Sequence, residues 1–275
     1  MNHPQIAAFA RLAKENEQPV RTIEGQKTLI SRTMHGLSYD AVHDELVVPS
    51  PLSQAILVFR GGASGEEAPV RYIQGPLTQI VGTGYGALDT VTVDGVNSEI
   101  YLPVASDKVL VFDRMANGNV APKRILGGPD TQIRYPVPSD RGPLPPIAVD
   151  TARNLLVVKS TWPRGSSGAL LIFDRAASGN TKPLRVIGGP KTGLGGGAQL
   201  AITPTGWILG GGLAGSVGAW NINDNGDVPP RYRIPMRQVT GLQFNGLDID
   251  SVNKEVIVPT GNGNTVYTFY FPELF

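Results

Sequence analysis

The chain has 275 residues, with 24 basic against 23 acidic side chains, three histidines and no cysteine. The net charge of +1 gives no general electrostatic reason to hold nucleic acid or a membrane surface. The missing cysteines exclude a disulfide framework, thiolate metal ligands and a cysteine nucleophile. Gly (34) and Pro (23) supply about a fifth of the residues, well above average usage, so turns are abundant and long helices are not expected.

Residues 1–17 lack the basic start and apolar run of a secretory signal. They read as a tail, as a short helix with Ile6, Phe9, Leu12 and Ala13 on one face, or as an extra strand. No run in the chain approaches the roughly 20 apolar residues of a membrane span. From residue 18 onward a repeat takes over. An aromatic residue is followed ten positions later by Pro and then by x-Arg-x-Ile, as in Phe9…Pro19-Val20-Arg21-Thr22-Ile23 and Phe59…Pro69-Val70-Arg71-Tyr72-Ile73. The pattern returns at Phe112…Pro122-Lys123-Arg124-Ile125 and Phe173…Pro183-Leu184-Arg185-Val186, with a degenerate copy at Trp220…Pro230. A second module precedes it, from Asp40 to Val48-Pro49, Asp94 to Leu102-Pro103, Asp150 to Val158-Lys159 and Asp250 to Val258-Pro259. Thr203 takes the Asp position in a fifth, less faithful copy.

Between these modules lie short runs rich in Val, Ile, Leu, Tyr, Phe and Thr, such as Val109–Phe112, Leu170–Phe173 and Val266–Phe269. Such residues favour a pleated surface, and Gly/Pro/Asn/Ser clusters bound each run. Each repeat therefore predicts four strands, the content of a propeller blade, whose neighbours bury its faces. The expected fold is an all-β β-propeller of four-stranded blades, five in number with six as the alternative count, in a single domain over residues 1–275. Because the repeat starts and stops in mid-blade, a strand at 18–25 is expected to close the ring by joining the blade built from 247–271.

Segments such as Val111-Phe112-Asp113-Arg114-Met115-Ala116-Asn117-Gly118-Asn119, followed by Pro122-Lys123-Arg124-Ile125-Leu126-Gly127-Gly128, resemble bacterial NHL-type or surface-type propeller repeats. That resemblance covers nearly the whole chain and describes blade construction. It implies a class that contains ligand-binding and protein-binding propellers, lactonase-like hydrolases and lyases, so function must be argued from the site.

The repeated Asp40, Asp94, Asp150 and Asp250 are expected to organise turns through backbone N–H groups. Thr28, Thr78, Thr131 and Thr192, each seven residues after its Arg, are expected to be turn hydroxyls. Arg21, Arg71, Arg124 and Arg185 fall on predicted outer strands, where charge discourages edge pairing. Gly210-x-Gly212-x-x-Gly215 matches a dinucleotide fingerprint in spacing but lacks the βαβ frame that gives those glycines their role. Loops joining fourth to first and second to third strands share one face in a propeller. That face is expected to gather Arg32, His35, Tyr85, Arg134, Tyr135, Trp162, Arg164, Arg237, Asn245 and Asn262. Two of its loops are long, Asp130 to Pro146 and Ser160 to Gly168. Trp162 and Arg164 stand out in the second, because aromatic and Arg side chains dominate binding hot spots.

The expected function is non-catalytic recognition of a protein or small-molecule ligand at this face, with no nucleic-acid or membrane partner. No cofactor and no metal site are expected, since calcium wants six to eight oxygen ligands and these loops offer few carboxylates. The alternative is a lactonase-like hydrolase or lyase with a channel metal or His35 as base, so whether the chain is an enzyme stays open. A monomer or a strand-swapped homo-oligomer fits the terminal strands. The cytoplasm is the default location, with an exported fragment as the alternative.

Overall fold

The computed structural model describes residues 5–31, 36–81, 90–135, 146–161, 168–195, 199–212, 215–241, 246–260, 263 and 265–275. The architecture is all-β, with the antiparallel blades of a five-bladed propeller and almost no helix. The chain divides into two compact units, one of Met1–Ala105, Leu110–Lys123 and Pro138–Pro143, the other of Ser106–Val109, Arg124–Val137 and Leu144–Phe275.

The first strands are β1 (Gln5–Ala8) and β2 (Arg21–Glu24). Four complete antiparallel sheets follow. The first holds β3 (Ser38–Asp40), β4 (Glu45–Ser50), β5 (Ala55–Arg60) and β6 (Arg71–Gln74). The second holds β7 (Thr92–Asp94), β8 (Glu99–Val104), β9 (Lys108–Asp113) and β10 (Arg124–Gly127). The third holds β11 (Ile147–Asp150), β12 (Leu155–Ser160), β13 (Ala169–Asp174) and β14 (Arg185–Gly188). The fourth holds β15 (Ala201–Ile202), β16 (Trp207–Gly212), β17 (Ser216–Asn221) and β18 (Tyr232–Ile234), followed by the five-residue helix α1 (Met236–Thr240). The last sheet has three strands, β19 (Asp248–Asp250), β20 (Glu255–Thr260) and β21 (Thr265–Tyr270).

The strand expected at 18–25 is present. Its core, β2, pairs antiparallel with β1 in a two-stranded sheet, Gln5 facing Glu24 and Ala8 facing Arg21. The N-terminal segment thus uses Gln5–Ala8 as a strand rather than a helix, and Ile6 packs onto a core of Ile23, Val48, Leu57 and Phe59. In the first three complete sheets the second and third strands are buried almost throughout, because both of their faces are covered. One core joins Val157, Leu170 and Ile172 to Leu194, Ile208 and Trp220, and another joins Leu209, Val217 and Ala219 to Val256 and Val258.

The repeated residues build the turns and hold each fourth strand to the hairpin that follows it. After β2, β6, β10 and β14, Gly25, Gly75, Gly128 and Gly189 adopt φ of 106° to 134°, a region closed to most side chains, and lead into a short 3₁₀ turn. The buried hydroxyls of Thr28, Thr78, Thr131 and Thr192 donate to those glycine carbonyls at 2.6–2.7 Å. The same hydroxyls accept the N–H two residues on at 3.2–3.3 Å. A side chain from the next hairpin then caps each turn. Glu66, Asn119, Asn180 and Asp227 accept the N–H groups of Gln26, Leu77, Asp130 and Lys191 at 2.7–2.8 Å. Backbone bridges Ile23–Gly65, Ile73–Gly118, Leu126–Gly179 and Ile187–Gly226 complete the clasp.

The Arg series belongs to this clasp rather than to edge protection. Arg21 donates to the carbonyl of Gly61 at 2.6 Å, Arg124 to that of Arg175 at 3.2 Å and Arg185 to that of Ile222 at 3.1 Å. Arg71 instead donates to Glu45, whose Oε2 also receives Arg114, both at 2.6 Å. The Asp series organises turns as expected. Asp40, Asp94, Asp150 and Asp250 each accept backbone N–H groups and grip the side chain three residues on, His43, Asn97, Arg153 or Asn253.

Candidate functional site

The third complete blade has the two long connections of the sequence at one end, and the strands fix where they leave it. Ser160 ends β12, and its Oγ accepts the N–H of Arg134 at 3.1 Å while donating to the carbonyl of Gln132 at 2.8 Å. Thr161 donates both its N–H and its hydroxyl to the carbonyl of Arg134, at 2.9 and 3.0 Å. The N–H of Lys159 donates to the carbonyl of Pro146 at 3.1 Å. Gly168, which ends the second connection, has φ of 85° and lies so close to the carbonyl oxygen of Ser160 that a β-carbon there would collide with it. Residues 134, 146 and 161 are therefore tied to the last two residues of one strand or to each other, and residue 168 lies against the same strand end. Loops carry recognition well when a rigid base sets their ends.

This base uses a repeated device. In the first complete blade Ser50 occupies the place of Ser160, accepting the N–H of Ser31 at 3.2 Å and donating to the carbonyl of Leu29. The hydroxyl answers two backbone groups that a buried connection would otherwise leave unpaired, which costs about 1–3 kcal/mol for each orphaned group. Ser160→Ala is accordingly expected to lower stability by about 2 kcal/mol, measured by urea unfolding. It should also loosen the N–H of Arg134 to hydrogen exchange, whereas Ser53→Ala, a half-buried hydroxyl bonded to Ser50, should change little.

Two of the ten sequence candidates meet here. The guanidinium of Arg134 donates to the carbonyl of Ile133 at 2.6 Å, leaving further N–H groups with no partner among the described residues. Tyr135 is buried, and its N–H donates to Oδ1 of Asp107 at 2.7 Å. The Tyr135 hydroxyl is buried with no hydrogen-bond partner among the described residues. Burial, reinforced by the charge of Asp107, pushes its pKa well above the ordinary tyrosine value, so it is a neutral donor throughout the physiological range. Arg237 lies exposed on α1, and no hydrogen bond or ion pair joins it to this group. Arg32, His35, Tyr85, Trp162, Arg164, Asn245 and Asn262 lie outside the described residues.

Two residues of the site went unweighted in the sequence. Ser160 is legible only once Ser50 is seen to occupy the same strand position. Lys159 was visible as the one charged residue at a position that is otherwise Pro or Gly. Its Nζ donates to the carbonyl of Gly195, and burial lowers its pKa to about 8. Among the described residues no group of three or more His, Asp, Glu or Cys is placed to hold a metal ion. Among the described residues no helix is long and apolar enough to cross a membrane. No protein-family model matches the sequence, and no curated protein matches it.

Proposed function

We propose that the chain is a non-catalytic binding protein, built of NHL-type or surface-type propeller repeats, that recognises a protein or small-molecule ligand through its blade-end loops. The observation that carries this reading is the hydrogen-bonded base at Ser160, which ties together the ends of two long connections at one blade end. Those connections hold Arg134, Tyr135, Trp162 and Arg164, residue types that dominate recognition surfaces. Arg32, His35, Tyr85, Arg237, Asn245 and Asn262 are proposed as contacts from the other loops. Construction accounts for the repeated Asp, Thr and Arg side chains, so these need no catalytic role. The hydrolase alternative gains no carboxylate or histidine cluster among the described residues.

The test is affinity capture from a lysate and from a small-molecule mixture, comparing the wild type with Trp162→Ala plus Arg164→Ala. The double variant is expected to keep the fold by circular dichroism and to lose at least tenfold of whatever the wild type retains. Identical retention by both proteins would remove these loops as the site.

A further inference from the structure

The side chain of Lys159 is not what builds its blade. The same strand position is Pro49 in β4, Pro103 in β8, Gly211 in β16 and Pro259 in β20, so a blade forms without a side-chain donor there. Yet Lys159 is only 5% exposed, and among the described residues the one partner of its Nζ is the carbonyl of Gly195. An ammonium has three donors to satisfy, and a buried charge without a counter-charge is costly. Its described neighbours include Pro146, which accepts its N–H, Leu170, its partner in β13, and Gly195. None brings a charge, and burial alone accounts for its lowered pKa.

The connections anchored at this strand end are themselves basic. Residues 134–146 and 159–168 carry Arg134, Arg141, Lys159 and Arg164 against one acid, Asp140, in a chain whose whole excess is a single positive charge. We propose that Lys159 binds an anionic group, a carboxylate or a phosphate, of the ligand held at this blade end. The inference rests on the binding function proposed above and adds the ligand's chemical class to it. An arriving anion supplies the counter-charge that the fold withholds, and charge-assisted hydrogen bonds of this kind are the strong ones. The spare N–H groups of Arg134 suit the same chemistry.

Isothermal titration of inorganic phosphate and of succinate into the purified chain, in chloride buffer at constant ionic strength, tests this. At pH 7 the wild type is expected to bind at least one of them saturably, with affinity falling tenfold or more in Lys159→Met and in Lys159→Gln. Which anion binds tells phosphate from carboxylate. At pH 9 binding should take up protons, because the anion restores charge to the amine, and this uptake should vanish in both variants. No binding by the wild type, or equal binding by the folded variants, overturns the proposal. Its failure is separable from that of the loop site. Capture that depends on Trp162 and Arg164 without any anion binding removes only the role of Lys159. Anion binding that depends on Lys159, with capture indifferent to the loop variant, removes only the loop contacts.

Discussion

Replacing Glu45 by Gln is expected to cost about 3–4 kcal/mol of stability, the range seen when one partner of a buried ion pair is removed. Glu45 opens β4, and one of its carboxylate oxygens receives both Arg71 and Arg114 at 2.6 Å. The three side chains are 12–13% exposed, so water cannot replace the lost charge. Asp40 is 4.0 Å from Arg114 but already grips His43, so it supplies little relief. Without Glu45 two guanidinium groups face each other across a poorly hydrated gap. Urea unfolding of Glu45→Gln, Arg71→Met and the double variant tests this. The double variant should lose less than the sum of the singles, since removing Arg71 as well takes away one orphaned charge. Strict additivity would show that the cluster does not act as a unit.

The second large effect is a dependence on pH. Burial lowers the pKa of Lys159 from 10.5 to about 8. Below pH 8 the amine is protonated in both folded and unfolded chains, and the folded protein bears the full penalty, about 3 kcal/mol. Between about pH 8 and 10.5 the unfolded chain holds a proton that the folded protein has released, so stability rises with pH across that window. Lys159→Met removes the penalty but leaves the Gly195 carbonyl without its donor, which returns about 1 kcal/mol. In phosphate-free chloride buffer the variant is therefore expected to be more stable than the wild type at pH 7 by about 2 kcal/mol. That advantage should shrink and reverse towards pH 10.5. Other lysines and tyrosines titrate in both proteins and cancel in the difference. A constant difference from pH 7 to pH 10.5 would show that the amine is not buried as described.

The sequence made the blades legible because a blade is a local object. Ten residues separate the aromatic from the Pro in every copy, and the apolar runs mark strands that are covered on both sides. The Asp turns and the Thr hydroxyls were legible for the same reason, since their partners lie two or three residues away. What could not be read was any partner set by space. Pro19-Val20-Arg21 marks a fourth strand but does not say which third strand it meets, and the nearby Gln5–Ala8 takes that place. Arg21 reaches a carbonyl 40 residues ahead, a contact for which sequence position gives no signal. Lys159 showed as a departure from Pro, but only burial turns that departure into an unbalanced charge.

The clasp between a fourth strand and the following hairpin always runs in one direction along the chain, and each copy uses its own residues on both sides. A blade carrying a Gly before its turn and an Asn or acid in its hairpin thus has matching male and female ends. Such a cassette can be duplicated, deleted or exchanged for its neighbour within a unit without inventing a new joint.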